Sequence, residues 1–283
     1  MTTRTIAAIE SATNEKVGMF SIKNVLPTRH LKQVDPFLLI HHMTPFVLQP
    51  GSETRLPPHP HAGFEVVTYL LDGEFFHRDS KGHDQVAKAG DVNWMTSGAG
   101  ILHSEGPTEK ILKEGGTVQL LQLWINLPAN KKQLASTFTH YSGHALPVIE
   151  NGNAWVKAVI GSYDGKSSPI ITHTPMFLYH IKIKKGVLMT VPVKDSHSAG
   201  IYIMQGKIKV LGKEPVAGEL VHFNTDGDQL VFTATEDAEL LVLGGEPIKE
   251  KVVTYGPFVM NSFEEIQQAI ADYETGKMGV LEY

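Results

Sequence analysis

The sequence predicts an all-β protein made of two consecutive jelly-roll β-barrels followed by one helix. Three observations support this prediction. Short runs rich in β-branched and aromatic residues recur at spacings of roughly 8 to 12 residues, with glycine-containing turns between them. The order of turns in the first half of the chain returns in the second half. Only one segment, close to the C-terminus, has the clear periodicity of an amphipathic helix.

Strands of the first barrel are predicted from apolar runs that end at turn residues. They cover residues 5–9, 19–22, 37–40, 66–71, 74–79, 92–95 and 118–127. Asp72-Gly73 offers a turn that accepts positive φ, and the segment after Gly106-Pro107 is predicted to be a polar loop. Pro128 ends the last strand. We therefore assign residues 1–128 to the first barrel.

The second barrel is predicted from an internal repeat. The residues YLLDGE at 69–74 correspond to YIMQGK at 202–207, and AGD at 89–91 corresponds to AGE at 217–219. Two matches in the same order favour a duplicated β-domain. A short helical turn is predicted at 131–134 and a strand at 155–161. Residues 129–261 are assigned to the second barrel.

Residues 262–283 are predicted to form a helix and a tail that pack on the barrels. Ser262 and Glu265 have the spacing of a capping box. Gly276 is suited to the residue after the helix end. One helical face would carry Phe263, Ile266, Ala269, Ile270 and Tyr273.

Composition limits the classes of function. The 283 residues are 42% apolar and 19% charged, which is typical of a globular protein. The absence of cysteine excludes disulfides, thiolate metal sites and cysteine nucleophiles. With a net charge of −5 and no block of like charges, direct nucleic-acid binding is not expected. The sequence has no signal-peptide or membrane-span pattern, so we expect a cytoplasmic protein.

Two pairs of candidate metal ligands are spaced two residues apart. They are His59 with His61, and His103 with Glu105. Residues at this spacing share one face of a strand. Two such strands facing each other across a barrel would bring together three imidazoles and one carboxylate. A site of this kind suits Fe, Mn, Ni, Co, Cu or Zn, and two open positions on an octahedral ion would allow chemistry.

Alternatives to ligation apply to each residue. A single histidine at such a position is more often an exposed or hydrogen-bonded residue than a ligand, but two pairs together favour a metal site. Glu65, four residues after His61, should share the face of that pair if the strand continues. It could be a fifth ligand, a general base, a residue that orients a ligand, or a structural carboxylate. His77 and His83 flank a predicted turn and are expected to be exposed. The histidines of the second half show no such pairing, so no metal is expected there.

The two site motifs resemble those of the pirin family. They read HPHxGFE at 59–65 and WMTSGxGILHSE at 94–105, and the tail GPFVMN at 256–261 is also similar to the end of pirins. The resemblance covers essentially the whole chain. It implies a bicupin, in which two cupin barrels follow one another and the first holds a single metal. By motif position, the ligands would be His59, His61, His103 and Glu105, and Glu65 would not be a ligand.

The resemblance also implies chemistry and partners. Pirins usually hold iron, so Fe(II) is the expected cofactor. Several act as quercetin 2,3-dioxygenases, which implies a flavonol-like substrate and O₂, with Glu105 or Glu65 taking the proton of a substrate hydroxyl. Animal pirins are described as nuclear, redox-sensitive coregulators of transcription that act through protein contacts. This implies a non-enzymatic alternative, a metal- or redox-dependent coregulator with a protein partner, which would also be nuclear in a eukaryote. His41-His42 stands where pirins commonly have Asp-Glu, and Gly106-Pro107 where they often have Met-Pro. A cupin isomerase or epimerase is a third alternative, and it would need cationic residues beside the metal.

Overall fold

The computed structural model describes residues 1–282 and divides them into two compact units. The unit that we call the N-barrel consists of Asn14–Lys23, Leu39–His144 and the residues from Ile248 onward. The unit that we call the C-barrel consists of Met1–Thr13, Asn24–Leu38 and Ala145–Pro247.

The chain is predominantly β, as predicted. In chain order the strands are β1 (Ile6–Ser11), β2 (Thr13–Val17), β3 (Phe20–Leu26), β4 (Phe37–Leu48), β5 (Leu56–His61), β6 (Phe64–Asp72), β7 (Glu74–Asp79), β8 (Asp84–Lys88), β9 (Val92–Thr96), β10 (Ile101–Pro107), β11 (Gly116–Asn126), β12 (Thr137–Tyr141), β13 (Val148–Glu150), β14 (Ala154–Ile160), β15 (Ser162–Tyr163), β16 (Lys166–Ser167), β17 (Met176–Ile183), β18 (Leu188–Pro192), β19 (Ser198–Gln205), β20 (Ile208–Lys209), β21 (Glu219–Phe223), β22 (Gln229–Ala234), β23 (Ala238–Gly245), β24 (Val253–Tyr255) and β25 (Phe258–Met260). The helices are α1 (Glu109–Glu114), a 3₁₀ helix (Ala129–Lys131) and α2 (Phe263–Glu274). Across residues 1–282, none of these helices has the length and apolar character needed to cross a membrane.

The N-barrel is built on a seven-stranded sheet and a four-stranded sheet. The first has the order β12-β9-β6-β11-β4-β3-β2, and the second has the order β5-β10-β7-β8. Strands β6 and β11 are rich in valine, leucine and aromatic residues, and they pair antiparallel at the centre of the larger sheet. Phe20, Leu70, Phe75 and Leu120 form part of the buried core. The smaller sheet carries both predicted ligand pairs.

The C-barrel has a seven-stranded sheet, ordered β1-β21-β19-β23-β17-β14-β13, and a three-stranded sheet, ordered β18-β22-β20. Its interior is filled by hydrocarbon side chains such as Ile201, Val221, Phe232 and Val242. Strand β1 pairs antiparallel with β21 at the edge of the larger sheet. The N-terminal strand therefore belongs to the C-barrel, although residues 1–128 were assigned to the first barrel. The boundaries at residues 128 and 261 also differ from those of the structure, because β12 pairs with β9 of the N-barrel and the N-barrel resumes at Ile248. Strand pairing over such a distance leaves no mark in a local pattern.

The two turns that suggested a duplication have the same backbone conformation. Gly73 has φ +81° and Gly206 has φ +78°. A Cβ at Gly73 would lie 2.2 Å from the carbonyl oxygen of Thr117, and one at Gly206 would lie 2.1 Å from that of Asp237. Both turns require glycine for the same two reasons, positive φ and close backbone approach. The sequence repeat at these two turns therefore corresponds to the same local backbone structure in both barrels.

Helix α2 begins with the predicted capping box between Ser262 and Glu265. It buries a narrower face than predicted: Ile266 and Ala269 are buried, whereas Phe263 is 65% exposed. Helix α1 replaces the predicted polar loop, and Thr108 Oγ1 accepts a hydrogen bond from its first turn. Its six residues are too few to show helical periodicity in the sequence.

Candidate metal centre

Strands β5 and β10 bring three imidazoles into one cluster. They pair antiparallel, and His103 lies directly opposite His59. The ring centroids are 4.3 Å apart for His59 and His103, and 4.9 Å apart for His61 and His103. The two members of the first pair are also 4.9 Å apart, so they share one face as predicted. The strands are hydrogen-bonded neighbours in one sheet, not partners facing each other across the barrel as expected.

The proline-rich sequence of β5 explains its place in the sheet. Pro57, Pro58 and Pro60 have no N–H to donate, so a strand that contains them is confined to an edge. Strand β5 is the edge strand of the four-stranded sheet, with β10 as its neighbour. The prolines are therefore compatible with the edge position, and the pairing of β5 with β10 aligns the histidines.

Each imidazole can offer a nitrogen lone pair to the cluster. Candidate ligand atoms of His59, His61 and His103 lie within 4.8 Å of one another. His59 Nδ1 donates to the Pro57 carbonyl at 2.8 Å, because a carbonyl can only accept, and Nε2 is left as a base. His61 is hydrogen-bonded to the backbone of Pro257.

Two of these nitrogens are buried without a hydrogen-bond partner. They are His61 Nδ1 and His103 Nε2. Burial and the neighbouring His59 lower the pKa of His61 to about 3, and burial and the other imidazoles hold the pKa of His103 well below its usual value. Buried lone pairs without a partner are costly, and neutral imidazoles are the form that binds metal. The three side chains therefore fit a transition-metal ion.

Glu105 lies on the same strand as His103 but outside the cluster of ligand atoms within 4.8 Å. Its carboxylate is buried and accepts a hydrogen bond from Gln122 Nε2 at 2.6 Å. The register between β5 and β10 shifts between His103 and Glu105, and the extra residue lies in β5, where Leu56 instead of Pro57 pairs with Glu105. Strand β10 itself stays regular there, because His103 and Glu105 pair with Asp79 and His77 of β7. The role of Glu105 as a fourth ligand stays a prediction.

Glu65 is separated from His61 by a turn. Gly63 has φ +88° and breaks the extended chain, so Glu65 lies on β6 in the larger sheet and the expected common face does not exist. Its Oε1 accepts hydrogen bonds from Trp94 Nε1 at 2.9 Å and Thr96 Oγ1 at 2.8 Å. Burial raises its pKa to about 7 despite these bonds. The contacts are those of a structural carboxylate that can still hold a proton near neutral pH.

Lys132 fixes the turn that follows His61, and sequence reasoning missed it. The side chain is buried, and its Nζ donates to the Gly63 carbonyl at 2.8 Å, to Asn126 Oδ1 at 2.7 Å and to the Val259 carbonyl at 3.2 Å. Burial lowers its pKa to about 8. No local sequence pattern predicts that this lysine is buried, because the Gly63 and Val259 carbonyls that it binds are distant in the sequence.

The prediction that His77 is exposed was wrong. Only 4% of this residue is exposed, because β7 alternates and turns Phe75, His77 and Asp79 inward. His83 is partly exposed, with 40% of its side chain open to solvent. The alternation of inward and outward residues along β7 could have predicted that His77 is buried. The prediction relied instead on the turn that follows the strand.

A cavity of about 30 Å³ lies beside Glu105. Its walls include Gln122, His41 and the aromatic rings of Phe20 and Phe75. A cavity of this volume has room for water, and Glu105, Gln122 and His41 supply polar groups to its wall.

His41 should make stability depend on pH. Burial lowers its pKa to about 4, although Glu15 opposes the shift. Between about pH 6.5 and pH 4, the unfolded chain therefore binds a proton that the folded chain does not, and stability falls as pH decreases. From pH 7 to pH 5 the contribution of His41 should be a loss of about 2 kcal/mol.

The measurement is urea unfolding of the metal-free protein at both pH values. The variant His41→Asn should lose about 2 kcal/mol less than the wild type over this interval. Equal losses in the two proteins would show that His41 titrates normally in the folded state.

Two family models match this chain, one in each half, and similar proteins align with nearly its full length. Residues 19–125 match the family model described as Pirin, and residues 178–279 match that of the Pirin C-terminal cupin domain. A pirin-like protein of Caulobacter vibrioides is 36% identical over 276 residues, covering 96% of this chain and 94% of that protein. Pirin-1 of Arabidopsis thaliana is 37% identical over 264 residues, covering 91% and 88%. The crystal structure of a quercetin 2,3-dioxygenase from Acinetobacter baumannii has a TM-score of 0.95 at 30% identity, covering 99% of this chain and 100% of that one.

Proposed function

Because this chain belongs to the pirin family, we propose that it is a mononuclear metal-dependent dioxygenase of the quercetin 2,3-dioxygenase type. The observation that carries the proposal is the cluster of three imidazoles, two of which have buried nitrogens without a hydrogen-bond partner. The similarity to the Acinetobacter enzyme, at 30% identity over essentially the full length, supports the reaction class. The proposed substrates are flavonol-like phenols and O₂.

His59, His61 and His103 would hold the metal, with Glu105 as the fourth ligand and Fe(II) as the expected ion; Mn, Ni, Co, Cu and Zn suit the same donors. When bound, such an ion would supply a Lewis acid for the substrate hydroxyl and a path for electrons towards O₂. Burial and His59 lower the pKa of His61 to about 3, so its imidazole is unprotonated at neutral pH, which is the form that binds metal. The hydrogen bond from Gln122 holds one carboxylate oxygen of Glu105 and leaves the other for a ligand or a proton.

Two carboxylates are candidates for the base that takes the substrate proton. Glu105 is on the strand that carries His103 and forms part of the wall of the small cavity. Glu65, with a pKa of about 7, could exchange a proton near neutral pH, but its Oε1 is engaged by Trp94 and Thr96. We propose Glu105 as the base that takes the substrate proton, and Glu65 is the second candidate.

Quercetin turnover tests the proposal. Protein purified without a metal-chelating resin and loaded anaerobically with Fe(II) should consume quercetin and O₂ in equal amounts, and His61→Ala loaded in the same way should not. Loss of quercetin absorbance and an oxygen electrode follow the two reactants. The proposal fails if the loaded protein leaves both reactants unconsumed, or if His61→Ala consumes them at the wild-type rate.

The isomerase alternative has little support in the contacts around the site. Arg55 is paired with Glu109 and Arg78 with Asp84, and both guanidinium groups lie over the ring of Phe76. Both arginines therefore already have carboxylate partners, and neither is recorded in contact with the imidazole cluster. The alternative of a coregulator acting through a protein partner stays a prediction from family resemblance.

A further inference from the structure

A hydrogen-bonded chain of four side chains runs from the imidazole cluster towards solvent. His103 Nδ1 lies 3.4 Å from His77 Nδ1, and His77 Nε2 lies 3.2 Å from Asp79 Oδ2. The same carboxylate oxygen lies 2.8 Å from Nδ1 of His83, whose side chain is 40% exposed. His77 and Asp79 are buried, and neither belongs to the predicted ligand set.

Asp79 determines which atoms donate and which accept in this chain of hydrogen bonds. Its Oδ1 accepts the backbone N–H groups of Lys81 at 2.9 Å and His83 at 3.2 Å. Backbone N–H groups can only donate, so this carboxylate accepts at Oδ1, and its Oδ2 lies between ring nitrogens of His77 and His83. A carboxylate surrounded by donors in this way acts as an acceptor of hydrogen bonds. It follows that His77 Nε2 carries the proton that faces Asp79.

This assignment fixes the tautomer of His103. A neutral imidazole has one donor and one acceptor nitrogen. In the neutral form of His77, a proton on Nε2 leaves a lone pair at Nδ1, so the proton between the two rings belongs to His103 Nδ1. The remaining nitrogen, His103 Nε2, is then an unprotonated base. This is the nitrogen that is buried without a hydrogen-bond partner.

The ring of His77 is held in place by stacking and by strand pairing. Its centroid is 4.2 Å from that of Phe138, with an interplanar angle of 9°. In the antiparallel pair of β7 and β10, His77 lies opposite Glu105, and Asp79 lies opposite His103. His103, His77 and Asp79 are therefore carried by two neighbouring strands of the sheet that carries the cluster, which limits the movement of these three side chains.

We propose that His77 and Asp79 are positioning residues of the metal centre, which hold His103 in the tautomer and orientation that direct Nε2 to the metal. The inference rests on the proposed metal binding and adds two residues outside its ligand set. Hydrogen-bond partners that orient a ligand imidazole typically contribute 10–100-fold to metal affinity. Here the Asp79 carboxylate does not contact the His103 ring itself but orients it through the imidazole of His77.

The test compares Co(II) affinity of variants by competition with a chromophoric chelator. His77→Phe keeps a flat ring against Phe138 and removes both nitrogens, while Asp79 retains His83 and two backbone donors. We expect it to raise the dissociation constant about 10–100-fold and to change the d–d spectrum of bound Co(II). His83→Asn, at the exposed end of the chain, is the matched control and should stay within about threefold of the wild type because it does not touch His103.

Wild-type affinity in His77→Phe would overturn the role of His77. If His103→Ala still weakens binding in that case, the proposed metal site survives and only this inference fails; if neither variant weakens binding, both fail. A measurement on the unaltered protein avoids any folding defect of the variants. Two-dimensional ¹⁵N–¹H spectra of the metal-free protein should show His103 protonated at Nδ1 and bare at Nε2, and the opposite tautomer would overturn the inference.

Discussion

His103→Ala is expected to abolish metal binding at the cluster. His103 is 1% exposed and its ring is close to those of both other histidines. Removal of a ligand should weaken binding by more than about 100-fold, because residues that only orient a ligand already contribute up to that factor. The measurement is the dissociation constant for Co(II), together with the metal content after dialysis.

His180→Ala is the matched control for this variant. His180 is also a buried imidazole, 3% exposed, but it lies in the C-barrel and is hydrogen-bonded to Glu239 at 2.6 Å. Both variants remove a buried ring and should lose comparable stability, on the order of 2–5 kcal/mol for a large-to-small change. Only His103→Ala should lose the metal. Equal metal content in the two variants would contradict the assignment of His103 as a ligand.

Gly63→Ala is expected to be the most destabilising single change at the turn that follows His61. Gly63 has φ +88°, and a Cβ there would lie 1.9 Å from the Val259 carbonyl oxygen. The neighbouring backbone is bonded to the same segment, with Val259 N donating to the Ala62 carbonyl at 3.0 Å. Backbone must therefore move, and we expect a loss above about 4 kcal/mol, the range in which exceptional mechanisms are found.

Gly82→Ala is the control that has the unfavourable positive φ of Gly63→Ala but not its steric clash with Val259. Gly82 has nearly the same φ, +89°, but a Cβ there would meet nothing within 4 Å. It should lose only about 1–2 kcal/mol, the cost of a left-handed conformation for an L-residue. Urea unfolding of both variants gives the comparison. Equal losses would mean that the contact with Val259 does not constrain the turn.

Local patterns predicted those parts of the site that depend on one strand. The common face of His59 and His61 follows from the period of two in an extended chain, and the capping box at Ser262 is likewise local. The same reasoning failed for Glu65, because it assumed that the strand continued through Gly63, where positive φ interrupts the strand and β6 begins in the other sheet. Glycine was the visible signal of that break.

Features that depend on the pairing of distant strands could not be predicted in this way. The sequence does not say that β5 is the neighbour of β10, or that β1 joins the edge of the C-barrel sheet. The burial of Lys132 depends on carbonyl groups of Gly63 and Val259, which only tertiary structure brings together. The chain from His103 to Asp79 also runs between two strands, so spacing along one strand does not reveal it.

His59, His61 and His103 are proposed to bind one transition-metal ion. Anomalous X-ray diffraction locates such an ion, using crystals of tag-free protein never exposed to nickel resin and data collected on both sides of the metal absorption edge. We expect one strong anomalous peak within ligand distance of a nitrogen of each of the three imidazoles, and the edge identifies the element. A metal peak elsewhere in the protein, with no peak between these imidazoles, would refute the proposed site.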